Sequence, residues 1–343
     1  MISKVSCQAE DFGLDKLPAP GRYSVSLLIP GPEGLHLPLL VIRGERPGKT
    51  LVVSAAVHGD EYEGVRVILD RFQDLEPAGM SGNFVAIVAS NPPAFWAGMR
   101  TSPLDDGNLA RSFPGSMDGS PTQRLAYWIE RSILPLAHFY IDFHSGGLKF
   151  AMPSLIGYFE GDEIGREAAF SFGSPVVWQH PTVPPGRTVS AARERGIPAI
   201  YTESPGGGRI SEEALRAYSL GLENVLRFLG VVSGTPERVD CKVHLHGDGN
   251  IESGVTSSTD GILVSRVELL QRVSTGEELG LLYGLNGEVI NRVYAPCSGL
   301  VVLIHAFPMV RVGEPLFLIT GTCSGDPVVS DTGEPTVTWS NRE

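Results

Sequence analysis

Residues 51–72 read LVVSAAVHGDEYEGVRVILDRF. The first seven, Leu51–Val57, form a continuous run of apolar and small residues with strand composition. From Tyr62 to Phe72 the apolar residues recur at helical spacing. A strand without polar alternation that feeds a helix through a short polar turn is the unit from which α/β layers with a buried, largely parallel sheet are built.

The same texture extends on both sides. Phe84–Ala89 (FVAIVA), Phe139–Phe143 (FYIDF) and Pro198–Thr202 (PAIYT) are further apolar strands. Ser120-Pro121 before QRLAYWIERSIL reads as an N-cap, a first-turn proline and a helix. Thr188–Arg195 is expected to be a helix closed by Gly196. Leu215, Tyr218, Leu222, Leu226 and Leu229 mark one face of another, capped by Ser211. Near residue 233 the pattern changes. SGTPERVD reads as a linker, and beyond it short strands alternate with frequent turns. The expected organisation is an α/β catalytic domain over residues 1–233, a small all-β domain over 234–325, and a polar tail over 326–343.

The chain has 343 residues, 42% of them hydrophobic, and a formal net charge of −12. Such acidity argues against nucleic acid or an anionic membrane as partner. No apolar run reaches the ~18 residues of a membrane helix. The N-terminal MISKVSCQAEDFG lacks a secretory pattern, so a cytoplasmic address is expected. Cys7, Cys241, Cys297 and Cys323 form no CxxC pair and are expected to be buried thiols in a reducing compartment. Homo-oligomerisation is left open.

The chemistry-bearing residues follow strands. Leu51–Val57 runs into His58-Gly59-Asp60-Glu61, Phe84–Ala89 into Ser90-Asn91, Phe139–Phe143 into His144, and Pro198–Thr202 into Glu203. In an open parallel sheet such carboxyl ends share one edge, where ligands bind. A His and a Glu three residues apart, with a later His, can hold one zinc at ~2.0–2.2 Å and leave a position for water. Asp142, two residues before His144, is placed to orient its imidazole. Alone, His-x-x-Glu is a common polar loop; its position at a strand end gives it meaning.

HGDEYEG, DFHSGG and TESPGGG together resemble the succinylglutamate desuccinylase/aspartoacylase family of zinc carboxypeptidase-like amidohydrolases, over about residues 20–325. The resemblance implies a mostly parallel mixed sheet flanked by helices, with a smaller barrel-sandwich-like β domain. It implies one zinc held by His58, Glu61 and His144, and Glu203 as general base and acid. It further implies that Arg100 polarises the scissile carbonyl and Arg111 binds a substrate carboxylate. Asn91 and Asn108 are candidate substrate contacts. The chain departs from the family where Ala110 precedes Arg111, since an asparagine commonly stands there. The implied activity is hydrolysis of a small N-acyl amino acid or N-acyl amine, of the diaminobutyrate-deacetylating kind among others. The alternatives are a metallo-carboxypeptidase and a non-catalytic small-molecule binding protein.

Gly44–Thr50 imitates a phosphate loop but is one residue short and leads into a strand. His244 and His246 are expected at the solvent surface, and His36, His138, His180 and His305 in structural roles. Trp178 and Gln179 are candidate pocket residues. The C-terminal β domain has no lysine after Lys242, so it cannot carry a lysine-linked biotin or lipoate. It is expected to wall the cleft or to form an oligomer contact.

Overall fold

The apolar runs become strands and the periodic stretches become helices. The structure, a computed structural model, describes residues 1–323; the expected tail over 326–343 lies outside the described residues. Three strands come first, β1 (Ser3–Gln8), β2 (Gly21–Leu28) and β3 (His36–Arg43). Next are β4 (Arg46–Ser54), α1 (Glu63–Asp74), β5 (Ser81–Ile87), α2 (Pro92–Ala97) and α3 (Pro121–Trp128). β6 (Phe139–Phe143), β7 (Phe150–Ala151), β8 (Leu155–Phe159), α4 (Glu163–Phe172) and β9 (Val176–His180) follow. Then come α5 (Thr188–Glu194), β10 (Ala199–Glu203), α6 (Glu212–Phe228) and β11 (Val243–His246). The last part contains β12 (Val255–Thr256), β13 (Gly261–Ser265), β14 (Arg272–Val273) and β15 (Glu278–Tyr283). It ends with β16 (Val289–Tyr294), β17 (Gly299–His305), β18 (Met309–Val310) and β19 (Pro315–Thr322).

The centre of the large sheet is β5-β4-β6-β10, and these neighbours are parallel. All five residues of β6 are buried, as expected of a strand covered on both faces. One face carries α1, α4 and α6 over Val53, Ile141, Phe143 and Ile200. The other carries α3 and α5 over Val52, Val85 and Tyr140. β3 runs antiparallel to β5 and β2 antiparallel to β3, and β8 runs antiparallel to β10.

Local sequence explains the helix ends. Asn91 caps α2 by accepting from Ala94 N at 3.3 Å, with Pro92 in the first turn. Ser211 caps α6 by accepting from Ala214 N at 3.1 Å. The helix opened by Pro121 widens into a π turn over Ile129–Ile133 and stops near Pro135.

The change of texture at residue 233 marks the start of short antiparallel strands, yet the main sheet continues through it. β11 pairs parallel with β9, β19 antiparallel with β11, and β17 antiparallel with β7. A second, four-stranded antiparallel sheet, β16-β15-β13-β18, packs around Leu279, Leu282, Leu316 and Phe317. Cys297 is exposed and Cys7, Cys241 and Cys323 are half-buried, so the thiols are less buried than their apolar character suggests. Among the described residues no helix is long and apolar enough to cross a membrane.

Candidate active site

The parallel strands β4, β6 and β10 bring their carboxyl ends to one edge. After β4 the chain passes through Ala55–Val57 to His58, and the turn brings His58 Nδ1 to 2.7 Å from Glu61 Oε1. The turn needs Gly59. A Cβ there would lie 2.0 Å from the carbonyl carbon of Ala94 in α2. β6 delivers His144, whose Nδ1 is 3.0 Å from Glu61 Oε2. Donor atoms of His58, Glu61 and His144 all lie within 4.8 Å of one another.

The surroundings fix these groups. His144 Nε2 is 3.1 Å from Asp142 Oδ2, and Asp142 also accepts from Ser54 Oγ at 2.6 Å. Asp60 Oδ2 accepts from Leu148 N at 2.9 Å, which ties the turn before α1 to the turn after His144. Arg100 Nη1 stands 3.4 Å from Glu61 Oε1. Glu203, the last residue of β10, lines the same cavity, and its Oε2 is buried with no partner among the described residues.

Burial and neighbours set the protonation states. Burial would raise Glu61, but the His58 and His144 imidazoles overcome it and hold the carboxyl far below its usual range. Burial would depress His144, but Asp142 and Glu61 hold it well above its ordinary value. Burial, with Arg100 nearby, pushes His58 down to about 4. Glu203 moves the other way: burial, reinforced by Glu61 against the opposing His144, pushes it up to about 8.

The cavity is about 120 Å³. It takes in His58, Glu61, Asp142, His144, Arg100 and Glu203 at one pole. Arg111 and Ala110 stand on its wall, with Arg111 Nε bonded to Glu252 Oε1 at 3.0 Å. Asn91 and Asn108 are not among its lining residues. Each amide oxygen instead caps a helical turn, Asn91 on Ala94 N and Asn108 on Ala110 N at 3.0 Å. Trp178 lines the cavity. Gln179, next on the strand, points elsewhere and accepts from Tyr158 OH at 3.0 Å.

Sequence reading missed part of the wall. His180, expected to be structural, lines the cavity with Tyr201 and Arg187. A signal existed for two of these. His180 ends an apolar strand, as the other polar residues do, and Tyr201 is two residues before Glu203, hence on the same strand face. Arg187 lies in a loop without such a signal. Asp248, Asn250 and Ile251 come from the loop after β11, and Leu303 and Leu318 from β17 and β19. His246 is exposed as expected, whereas His244 is half-buried and stacks on Tyr158.

The family described as the succinylglutamate desuccinylase/aspartoacylase catalytic domain matches residues 47–229. The chain is 32% identical over 256 residues to the N-alpha-acetyl-L-2,4-diaminobutyric acid deacetylase of Halomonas elongata, covering 73% of this chain and 74% of that one. The product-bound ectoine utilization protein EutE (DoeB) of Ruegeria pomeroyi superposes with a TM-score of 0.80 at 29% identity, covering 88% and 95% of the two chains. A succinylglutamate desuccinylase from Silicibacter gives 0.79 at 28% identity, covering 87% and 94%.

Proposed function

Because the chain belongs to the succinylglutamate desuccinylase/aspartoacylase family, we propose that it is a zinc-dependent hydrolase that cleaves the amide of a small N-acyl amino acid. The observation that carries the reading is the meeting of His58, Glu61 and His144 around one point beside the separate carboxyl of Glu203, whose Oε2 has no partner among the described residues. Two imidazoles and a carboxylate within 4.8 Å fit zinc, which takes this N/N/O donor set in catalytic sites. When bound there, zinc supplies Lewis acidity and lowers the pKa of a water toward ~7.

The chain's own groups do the rest. Glu203 as the carboxylate takes the proton of the attacking water and, once protonated, returns it to the leaving nitrogen; burial favours that protonated form. Arg100 fixes positive charge beside Glu61, where negative charge develops on the carbonyl oxygen. Asp142 orients His144 through its second ring nitrogen. Arg111 meets a substrate carboxylate in place of Glu252.

In this reading residues 1–233 are the catalytic unit and 234–325 cap it. The cap narrows the cleft through Asp248–Ile251, Leu303 and Leu318, which favours a small substrate over a peptide. The named activity of the Halomonas relative makes an N-acetylated diamino acid the first substrate to try. The unpaired thiols suit a reducing, cytoplasmic setting.

The test is turnover of N-acetyl-L-2,4-diaminobutyrate and of N-acetyl and N-succinyl amino acids, with bound zinc measured in parallel. Glu203→Gln is expected to keep the metal and lose about 10²–10⁴ in kcat. Equal turnover by the two proteins would remove Glu203 from the chemistry.

A further inference from the structure

We propose that the Tyr201 hydroxyl is a specificity-determining hydrogen-bond acceptor. Its oxygen receives a free ammonium on the amine half of the substrate, and His180 is the positioning residue that turns it so. This rests on the deacylase reading above and adds the group that the substrate must carry.

The direction of each hydrogen bond follows from a carbonyl. Gly247 O can only accept, so His180 Nδ1, 2.9 Å away, carries the hydrogen. The His180 ring is buried against Trp178, Phe159 and Tyr201, with centroids 4.7, 5.5 and 5.5 Å away. That burial pushes its pKa down to about 4, so at neutral pH the ring has one N–H. Nε2 is then a lone pair, and the atom 2.7 Å from it is the Tyr201 hydroxyl oxygen. Tyr201 therefore donates to His180. A phenol has a single hydrogen, so toward any further partner the oxygen of Tyr201, a residue of the cavity wall, can only accept.

The arrangement is built rather than incidental. Tyr201 pairs across the sheet with Gly157, where a Cβ would lie 1.9 Å from the phenol ring. Only a glycine there lets the ring settle. Gly249 lies against the imidazole in the same way, with its virtual Cβ 2.5 Å from His180 Cε1. Tyr201 and Glu203 share one face of β10, about 7 Å apart along the strand. Asp248 lines the same wall and places a carboxylate near Tyr201 and His180; burial and Glu203 raise Tyr201 more than Asp248 does, and Arg187 opposes them. An anion beside an acceptor oxygen favours a cation over a neutral donor. Arg187, the opposing charge nearby, is bonded to Asn250 Oδ1 at 3.2 Å, and with Arg111 it suits the carboxylate of the same amino acid.

The test compares zinc-loaded wild type and Tyr201→Phe, titrated calorimetrically with 2,4-diaminobutyrate and with 2-aminobutyrate, which lacks the second ammonium. Loss of a hydrogen bond to a charged group is expected to weaken diaminobutyrate at least about tenfold and leave 2-aminobutyrate within about twofold. Equal weakening of both ligands, or of neither, overturns the proposal. His180→Phe, which removes the acceptor of the phenol hydrogen, tests the positioning role. It is expected to weaken diaminobutyrate and leave 2-aminobutyrate within about twofold, and equal weakening of both overturns that role, while ¹⁵N spectra of histidine-labelled wild type are expected to show the Nδ1–H tautomer. An Nε2–H tautomer would turn the phenol hydrogen toward the cavity and refute the assignment. Failure of the deacylase reading is seen separately, as absent turnover of every N-acyl substrate by wild type while discrimination between the two amines persists.

Discussion

Asp142 makes two contacts that serve different ends. It receives the Ser54 hydroxyl and faces His144 Nε2. Asp142→Asn preserves shape but loses the charge that holds the imidazole. Zinc affinity is expected to fall about 10–100-fold with little change in unfolding midpoint, as competition with a chelating dye would measure. His180 makes a pH prediction. Its folded pKa, about 4, lies below the ordinary 6.5. Between these values the unfolded chain binds the proton and the folded chain does not. Stability is therefore lost as pH falls through that window, by up to about 3 kcal/mol. Urea midpoints at pH 7.5 and 4.5 should show a smaller drop for His180→Gln than for wild type; an equal drop would remove His180 from the account. His58, Glu61, His144 and Glu203 were legible in the sequence because each follows an apolar strand, and parallel strands put such residues together. Asn91 and Asn108 stand outside the cavity lining because the amide oxygen beside a helical start caps the backbone, as Asn91 before two prolines shows. His180 and Tyr201 carry the strand-end and same-face signals, but their contact joins residues 21 apart, which no local pattern marks.

At the scale of elements, the site depends on how closely the turn before α1 approaches α2. The virtual Cβ of Gly59 meets backbone atoms of Ala94 and Phe95 within 2.2 Å, and backbone cannot rotate away as a side chain can. Gly59→Ala must therefore separate the two segments. A cost of about 1–3 kcal/mol is expected, together with lower zinc occupancy, because His58 and Glu61 lie on either side of the displaced residue. Thermal unfolding with metal analysis checks both. Wild-type occupancy in the variant would mean that the turn tolerates a Cβ. The helices and central strands were readable from periodicity and caps, α6 with Ser211 most clearly. The antiparallel flanks were less so. β2 alternates buried Tyr23, Val25 and Leu27 with partly exposed residues, which identifies a strand but gives no direction. β8 and β9 are short apolar runs that become informative only once β10 is known to pair with β8.

Across the whole molecule, the question is whether the texture change at residue 233 separates two folding units. Composition suggests that it does, but pairing across the sheet argues for dependence. β9 has β11 as a neighbour, and Phe150, Leu155, Val176 and Trp178 share a core with Leu245, Leu300, Val302 and Leu318. A chain ending at residue 233 would expose those four side chains. At about 2 kcal/mol each, the loss is about 8 kcal/mol, comparable to the 5–15 kcal/mol that holds an ordinary domain together. It would also leave the edge of β9 open to pairing with other chains. The truncated protein is therefore expected to aggregate or bind hydrophobic dyes, with no cooperative transition in circular dichroism. A monomeric 1–233 fragment that unfolds cooperatively would show that the C-terminal strands are an accessory. Such a fragment would still lack Asp248 and Leu318 from the cavity wall, so it should bind an amino acid product more weakly than the full chain even if zinc binding survives.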